Sequence, residues 1–199
     1  MKQNRVEVAL TGGIGCGKSE VARFWSAAGI PVLDTDQTAH HLMEPGQSVY
    51  RQIVESFGET ILGPDGEIDR SALGDIVFSN PEMLETLNRI VHPVVEEEWI
   101  NWMKVRRGLL EPAVVSIPLL FEAGAAVGWG AIVCISAPEN LVIERLLKRG
   151  LSKEAAVRRI KAQLPLEEKR RRSDYVINND QTLNILEMRA MNTWQKISK

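Results

Sequence analysis

Thr11-Gly12-Gly13-Ile14-Gly15-Cys16-Gly17-Lys18-Ser19 is the stretch that decides the fold. From Gly12 to Ser19 it reads G-x-x-x-x-G-K-S, the spacing of a phosphate-binding P-loop. Glycines at these places let backbone N–H groups converge on phosphate oxygens with no Cβ in the way, and the following helix adds the positive end of its dipole. Lys18 is placed to reach the β- and γ-phosphates of a nucleotide, and the Ser19 hydroxyl to ligate Mg²⁺. The context agrees. Residues 6–10 form a short apolar run expected to be a buried strand, and 18–28 are expected to be a helix stopped by Gly29. A dinucleotide-binding loop is excluded, because the third glycine of that pattern would fall on Lys18.

Working outward, residues 31–33 read as a second short strand ending at Asp34, which completes a strand–helix–strand unit of parallel α/β type. From 36 to 107 the strand signal all but disappears. Helices are expected at 38–43, 48–57 and 70–78, with a long one over 81–106 whose Leu84, Leu87, Ile90, Val91, Val94, Val95 and Trp102 share an apolar face. Pro93 lies inside that helix and is expected to kink or interrupt it. Gly63-Pro64-Asp65-Gly66 reads as a turn. Strands follow at 113–117 and 131–135, helices at 139–148, 153–162 and 166–172, a fifth strand at 174–177 and a last helix over 182–197.

Composition narrows the class. The chain has 199 residues, 44% hydrophobic and 25% charged, with a net charge of −2, which suits one globular domain with inserts and not a disordered chain. Near-neutrality argues against a nucleic-acid binder with a basic surface throughout. The two cysteines lie far apart in sequence, and the three histidines lack H-E-x-x-H spacing, so no disulfide framework or zinc site is expected. A reducing, cytoplasmic setting is expected, with no signal peptide or membrane span. Oligomeric state is left open. The charge is unevenly spread: residues 145–172 carry eleven basic residues against three acids, a net +8 that leaves −10 elsewhere. Such a segment suits polyphosphate ligands. Lys153 and Lys169 within it read as a solvated helix face, whereas Arg145 and Arg149, four apart, read as a clamp for a transferring phosphoryl group.

Ligands of open α/β sheets bind at the carboxyl ends of strands, so Asp34 falls beside the P-loop. Its carboxylate can take a proton from an attacking hydroxyl or orient Mg²⁺ through water. Asp36 reads as the N-cap of the next helix. The chain lacks the N-K-x-D and D-x-x-G signals of a GTPase. Its short length, helical insert and late basic segment instead fit a small-metabolite or nucleotide kinase. The expected fold is therefore α/β: a three-layer P-loop kinase core on a five-stranded parallel sheet, spanning 1–35, 108–140 and 173–199. A helical insert after strand 2 occupies 36–107, and a helical lid occupies 141–172.

Several motifs then carry a resemblance. They are V-A-L-T-G-G-I-G-C-G-K-S (8–19), V-L-D-T-D (32–36), E-P-G (44–46), F-G (57–58), G-E-I-D-R (66–70), V-F (77–78) and L-N-R-I-V-H-P (87–93), followed by I-P-L-L-F-E (117–122), R-L-L-K-R-G (145–150), R-I-K-A-Q (159–163) and S-D-Y-V-I-N-N (173–179). In this order they resemble the dephospho-CoA kinase family. The resemblance implies transfer of the ATP γ-phosphate to the ribose 3′-hydroxyl of dephospho-CoA, giving CoA and ADP, the last step of coenzyme A biosynthesis. It implies Asp34 as general base, with Lys18 and Arg145 stabilising the transferred group. The nucleotide would be held by Gly13, Gly15, Cys16, Gly17, Lys18, Ser19, Glu20 and Arg149. Asp36, His92, Pro118, Leu119, Leu120 and Glu122 would serve the acceptor, and the insert would form the CoA domain. Four positions depart from the family pattern. Cys16 replaces a serine, and a thiol at a helix N-terminus is expected to have a lowered pKa and to be oxidisable. Glu20 stands for a threonine and Val142 for a glutamine. Ser116 stands where some members carry an acid.

Overall fold

The computed structural model describes residues 6–199. These residues fall into two compact units, one running up to Asp34 and resuming over Val105–Lys199, the other comprising Thr35–Lys104.

The first unit is built on β1 (Glu7–Gly12), β2 (Val32–Asp34), β3 (Ala113–Ser116), β4 (Ala131–Ser136) and β5 (Tyr175–Asn178). Among the described residues they form a single five-stranded parallel sheet in the order β2-β3-β1-β4-β5. The strands are short, apolar and β-branched, and the three central ones are buried almost throughout, as a sheet covered on both faces requires. From β1 the chain steps over β3 to reach β2 through α1 (Lys18–Ala27). From β4 it moves the opposite way to β5 through α6 (Glu139–Lys148), α7 (Lys153–Lys161) and α8 (Leu166–Arg171). Parallel crossovers are right-handed, so the reversal puts α1 and α6–α8 on opposite faces and makes three layers. The last helix, α9 (Leu183–Ile197), packs on α1: the Trp25 and Trp194 rings meet at a tilt of 54° with centroids 5.7 Å apart, and the Trp25 indole N–H donates to the Ala190 carbonyl at 3.0 Å. Val8, Leu10, Val21, Val114, Val133 and Ile135 are fully buried at the centre of this core.

The second unit contains α2 (Thr35–Leu42), α3 (Ser48–Phe57), a 3-10 turn (Glu59–Ile61), α4 (Arg70–Ser79) and most of α5 (Pro81–Leu109). Val49, Ile53, Ile61, Leu73 and Val77 form its own core, and Leu84, Leu87, Ile90, Val91, Val94 and Val95 line it from α5. The turn at 63–66 closes with the Gly66 amide on the Gly63 carbonyl (3.0 Å) and a Leu62–Ile68 antiparallel bridge. Asp69 caps α4, its Oδ1 accepting from the Ser71 and Ala72 amides. Two expectations are corrected. Of the kink or interruption expected at Pro93, the interruption does not occur: α5 runs unbroken for 29 residues. Pro93 and Arg89 are both exposed, so water can satisfy the carbonyl that loses its helical donor. Asp36 is not an N-cap: α2 starts at Thr35 and Asp36 sits in its first turn, where a carboxylate meets the positive end of the helix dipole.

Candidate active site

The P-loop leaves β1 at Gly12 and enters α1 at Lys18. A Cβ on Gly12 would lie 2.5 Å from the Ile135 carbonyl oxygen of β4, so only glycine lets the two strands approach here. Gly17 has φ 99°, and a Cβ on it would collide with the Asn179 amide nitrogen. No side chain caps α1, although the Glu20 amide already donates to the Gly17 carbonyl at 3.2 Å, so an anion at this end would meet the helix's positive dipole end.

Beside the loop, β2 and β3 pair with Asp34 opposite Ser116. The Lys18 ammonium is largely buried and donates to Ser116 Oγ at 2.8 Å. It lies 3.9 Å from Asp34 Oδ2, to which the Ser116 hydroxyl donates at 3.4 Å. A serine at this strand end is therefore a neutral bridge between the lysine and the carboxylate. Ser19, next on α1, is exposed. The Ser19 hydroxyl and the Asp34 carboxylate are hard oxygen donors, a set that suits Mg²⁺, which takes one or two protein oxygens and fills the rest with phosphate and water. No cluster of three or more His, Cys, Asp or Glu suited to a metal occurs among the described residues.

The opposite flank is made by α6 and the end of β5. Arg145 donates to the Gly15 carbonyl (3.3 Å) and to the Asn179 carbonyl and side-chain oxygen (3.1 and 3.2 Å), and Asn179 Nδ2 donates to the Cys16 carbonyl at 2.8 Å. Arg145 thus lies against the P-loop, while Arg149 lies exposed at the C-cap of α6. Asn179 was missed as a site residue. Its place just past a strand's carboxyl end, within the S-D-Y-V-I-N-N run, was the available signal. Val142 is buried in the core, where a Cβ on Gly15 would sit 3.2 Å from it. The Glu20 side chain pairs with Arg23 at 2.7 Å.

The loop after β3 is held from several sides. The Pro118 carbonyl accepts from Thr11 Oγ1 (3.3 Å) and from the Lys169 ammonium (3.1 Å), and Glu122 pairs with Lys169 at 2.8 Å. Leu120 is fully buried and Leu119 half-buried. Lys169 corrects the solvated-face reading: it is 0% exposed, because Glu122 and the Pro118 carbonyl replace the water it loses. Its position on the +8 segment gave no hint of this, since helical spacing cannot show which lysine turns inward. His92 on α5 and Asp36 on α2 belong to the helical unit. Desolvation holds the His92 imidazole below its ordinary pKa against the pull of Glu96, one turn away.

Cys16 also overturns its expectation. The thiol is 1% exposed, and burial pushes its pKa up, outweighing the lowering contributions of the Ala137 and Gly13 backbone, Arg145 and Lys169. Cys134, equally buried, is pushed up to about 12 by burial. Both cysteines are free. Alkylation by iodoacetamide at pH 8 is expected to run at least ~10-fold slower on the native chain than on the urea-unfolded chain, since the thiolate is the nucleophile. Mass spectrometry of the native protein showing rapid Cys16 adducts would contradict this.

The comparisons with known proteins agree with the geometry. The dephospho-CoA kinase family model matches residues 6–184. A dephospho-CoA kinase of Bacillus cereus is 43% identical over 181 residues, covering 89% of this chain and 90% of the relative. Among solved structures, TT1252 from Thermus thermophilus superposes with a TM-score of 0.77 at 35% identity, covering 96% of this chain and 97% of that one. Dephospho-CoA kinase from Campylobacter jejuni gives a TM-score of 0.68 at 28% identity, covering 96% of each chain. The P-loop, the Asp34–Ser116–Lys18 cluster and Arg145 sit at the carboxyl ends of one parallel sheet, in a chain matched along most of its length, and the chain belongs to the dephospho-CoA kinase family.

Proposed function

We propose that this chain transfers the γ-phosphoryl group of ATP to the 3′-hydroxyl of dephospho-CoA, releasing CoA and ADP. The observation that carries the reading is the Lys18–Ser116–Asp34 cluster, because it holds the phosphate-seeking cation at the start of α1 beside a candidate base at the end of β2. When ATP binds, Lys18 exchanges Ser116 and Asp34 for the β- and γ-phosphate oxygens. That exchange lets the Asp34 carboxylate face the acceptor hydroxyl. Asp34 then takes the proton of the 3′-hydroxyl as the new O–P bond forms and the bond between the γ-phosphorus and the β–γ bridging oxygen breaks. Arg145 leaves its carbonyl acceptors for the transferring group, whose charge it spreads with Lys18. Ser19, with Asp34 within reach, would hold Mg²⁺, which would neutralise phosphate charge.

The other assignments have narrower support. A cavity of about 340 Å³ lined by Ser136, Ala137, Pro138, Asn178 and Asp180 adjoins Asn179, and we assign it to the adenosine half of ATP. Pro118, Leu119 and Glu122 are assigned to the acceptor side, and the helical unit, with Asp36 and His92, to the CoA arm. Residues 141–172 are assigned as the lid that excludes water during transfer. We place the chain in the reducing cytoplasm, on the support of two buried free thiols. Among the described residues, no helix is long and apolar enough to cross a membrane.

The test is an acceptor panel. With Mg-ATP and dephospho-CoA, AMP, CMP or shikimate in turn, ADP release is expected with dephospho-CoA alone. Comparable turnover on AMP or shikimate would reassign the acceptor, and no turnover on any would make the chain a nucleotide-binding module.

A further inference from the structure

We infer that Lys169 is a positioning residue for the acceptor loop, which it fixes at a set distance from the P-loop through Glu122 and the Pro118 carbonyl. The inference rests on the assignment of 118–122 to the acceptor side. Its basis is a single segment, 163–172, that grips both loops. At one end the Gln163 side-chain oxygen accepts from the Ile14 amide at the tip of the P-loop (3.0 Å). Beside it the Leu164 amide donates to Glu122 Oε1 at 2.9 Å. Along α8 the Lys169 ammonium pairs with the same Oε1 at 2.8 Å and donates to the Pro118 carbonyl at 3.1 Å. At the far end the Arg172 guanidinium lies over the Phe121 ring, 4.4 Å from its centroid. The Pro118 carbonyl is shared with Thr11 Oγ1, on the strand that feeds the P-loop, so the donor loop, the acceptor loop and α8 meet at one oxygen.

Stability does not explain this arrangement. The Lys169 side chain is 0% exposed and that of Glu122 is 22% exposed. Desolvating such a pair offsets much of its attraction, and apolar residues of similar volume often hold a fold as well or better. What an apolar pair lacks is direction. The ammonium sets the height of Pro118 and the angle of Glu122 together, and displacement of a reacting group by about 1 Å can cost ~10²-fold in rate. The +8 segment therefore includes one charge that acts inward on protein, alongside those available to phosphate.

The experiment compares the wild type, Lys169→Met and the double variant Glu122→Leu with Lys169→Met, measuring kcat, both KM values and Tm. In Lys169→Met, Glu122 is intact, so lost acceptor efficiency reads the lost grip and not a lost ligand contact. Both variants are expected to lose about 10- to 100-fold in kcat/KM for dephospho-CoA. The KM for ATP should stay within about twofold, since the P-loop donors are untouched. The double variant, which removes the Glu122 carboxylate along with its Lys169 partner, is expected to regain the wild-type Tm without regaining activity. Recovery of both Tm and activity in the double variant would overturn the inference by making the pair a fold element only. So would unchanged kinetics in Lys169→Met, or a parallel rise in both KM values. A wild type that does not use dephospho-CoA fails at the first measurement, and that result overturns the acceptor assignment and the inference together.

Discussion

Asp34→Asn is expected to lower kcat by about 10²–10⁴, the usual worth of a general base. Affinity for ATP should be unchanged or slightly higher. In the resting site the Lys18 ammonium lies 3.9 Å from Asp34 Oδ2 and donates to Ser116 at 2.8 Å. ATP must draw the lysine away from both. An asparagine holds it less strongly than a carboxylate, so the cost of releasing it to phosphate falls. The split between a collapsed kcat and an intact ATP Kd is the signature of a group that acts on the acceptor's proton and not on the nucleotide. Steady-state turnover with dephospho-CoA and calorimetric ATP binding check the two halves. Undiminished turnover would remove Asp34 from proton transfer, and a large loss of ATP affinity would recast it as a nucleotide or metal residue.

Arg145→Ala is expected to cost about 10³ in kcat, at the lower end of what an arginine contributes to phosphoryl transfer. Its guanidinium bonds three carbonyl-type oxygens, on Gly15 and Asn179, which keeps it poised at the P-loop on neutral acceptors that phosphate can displace. Arg145→Lys should recover little, because an ammonium lacks the planar fork that spans two acceptors. Folding should suffer modestly, by about 1 kcal/mol, the net worth of a partly exposed hydrogen-bond set. Asn179 keeps its bond to the Cys16 carbonyl, so the loop retains its main tether. Thermal melts run beside the kinetics decide the matter. A Tm loss that accounts for the activity loss would make Arg145 a structural tie, while a near-native Tm with the rate gone identifies it with the transferring group.

Legibility differed from element to element for physical reasons. Helix α3 and α6 ended where their sequence signals placed them, since apolar periodicity sets those bounds. Helix α2 began three residues earlier than expected, because a carboxylate is as welcome in the first helical turn as at the cap. Pro93 carried a strong local signal that tertiary context overrode, as the exposed side of α5 lets water replace the missing bond. Cys16 was misread in charge state, because the helix N-terminus that lowers a thiol pKa is visible in sequence and the burial that raises it is not.

By itself, the order of residues determined the strand–loop–helix at 7–27, the five parallel strands, the helical interruption after Asp34 and the chemistry available at Lys18, Ser19, Asp34 and Arg145. These rest on local spacing and on backbone sterics, which act between near neighbours. The tertiary structure alone decided that Ser116 stands between Lys18 and Asp34, that Asn179 ties Arg145 to the P-loop, and that Lys169 turns inward to Glu122. Each of these pairs residues at least 34 positions apart, and only the stacking of strand ends and α8 brings them within hydrogen-bonding distance.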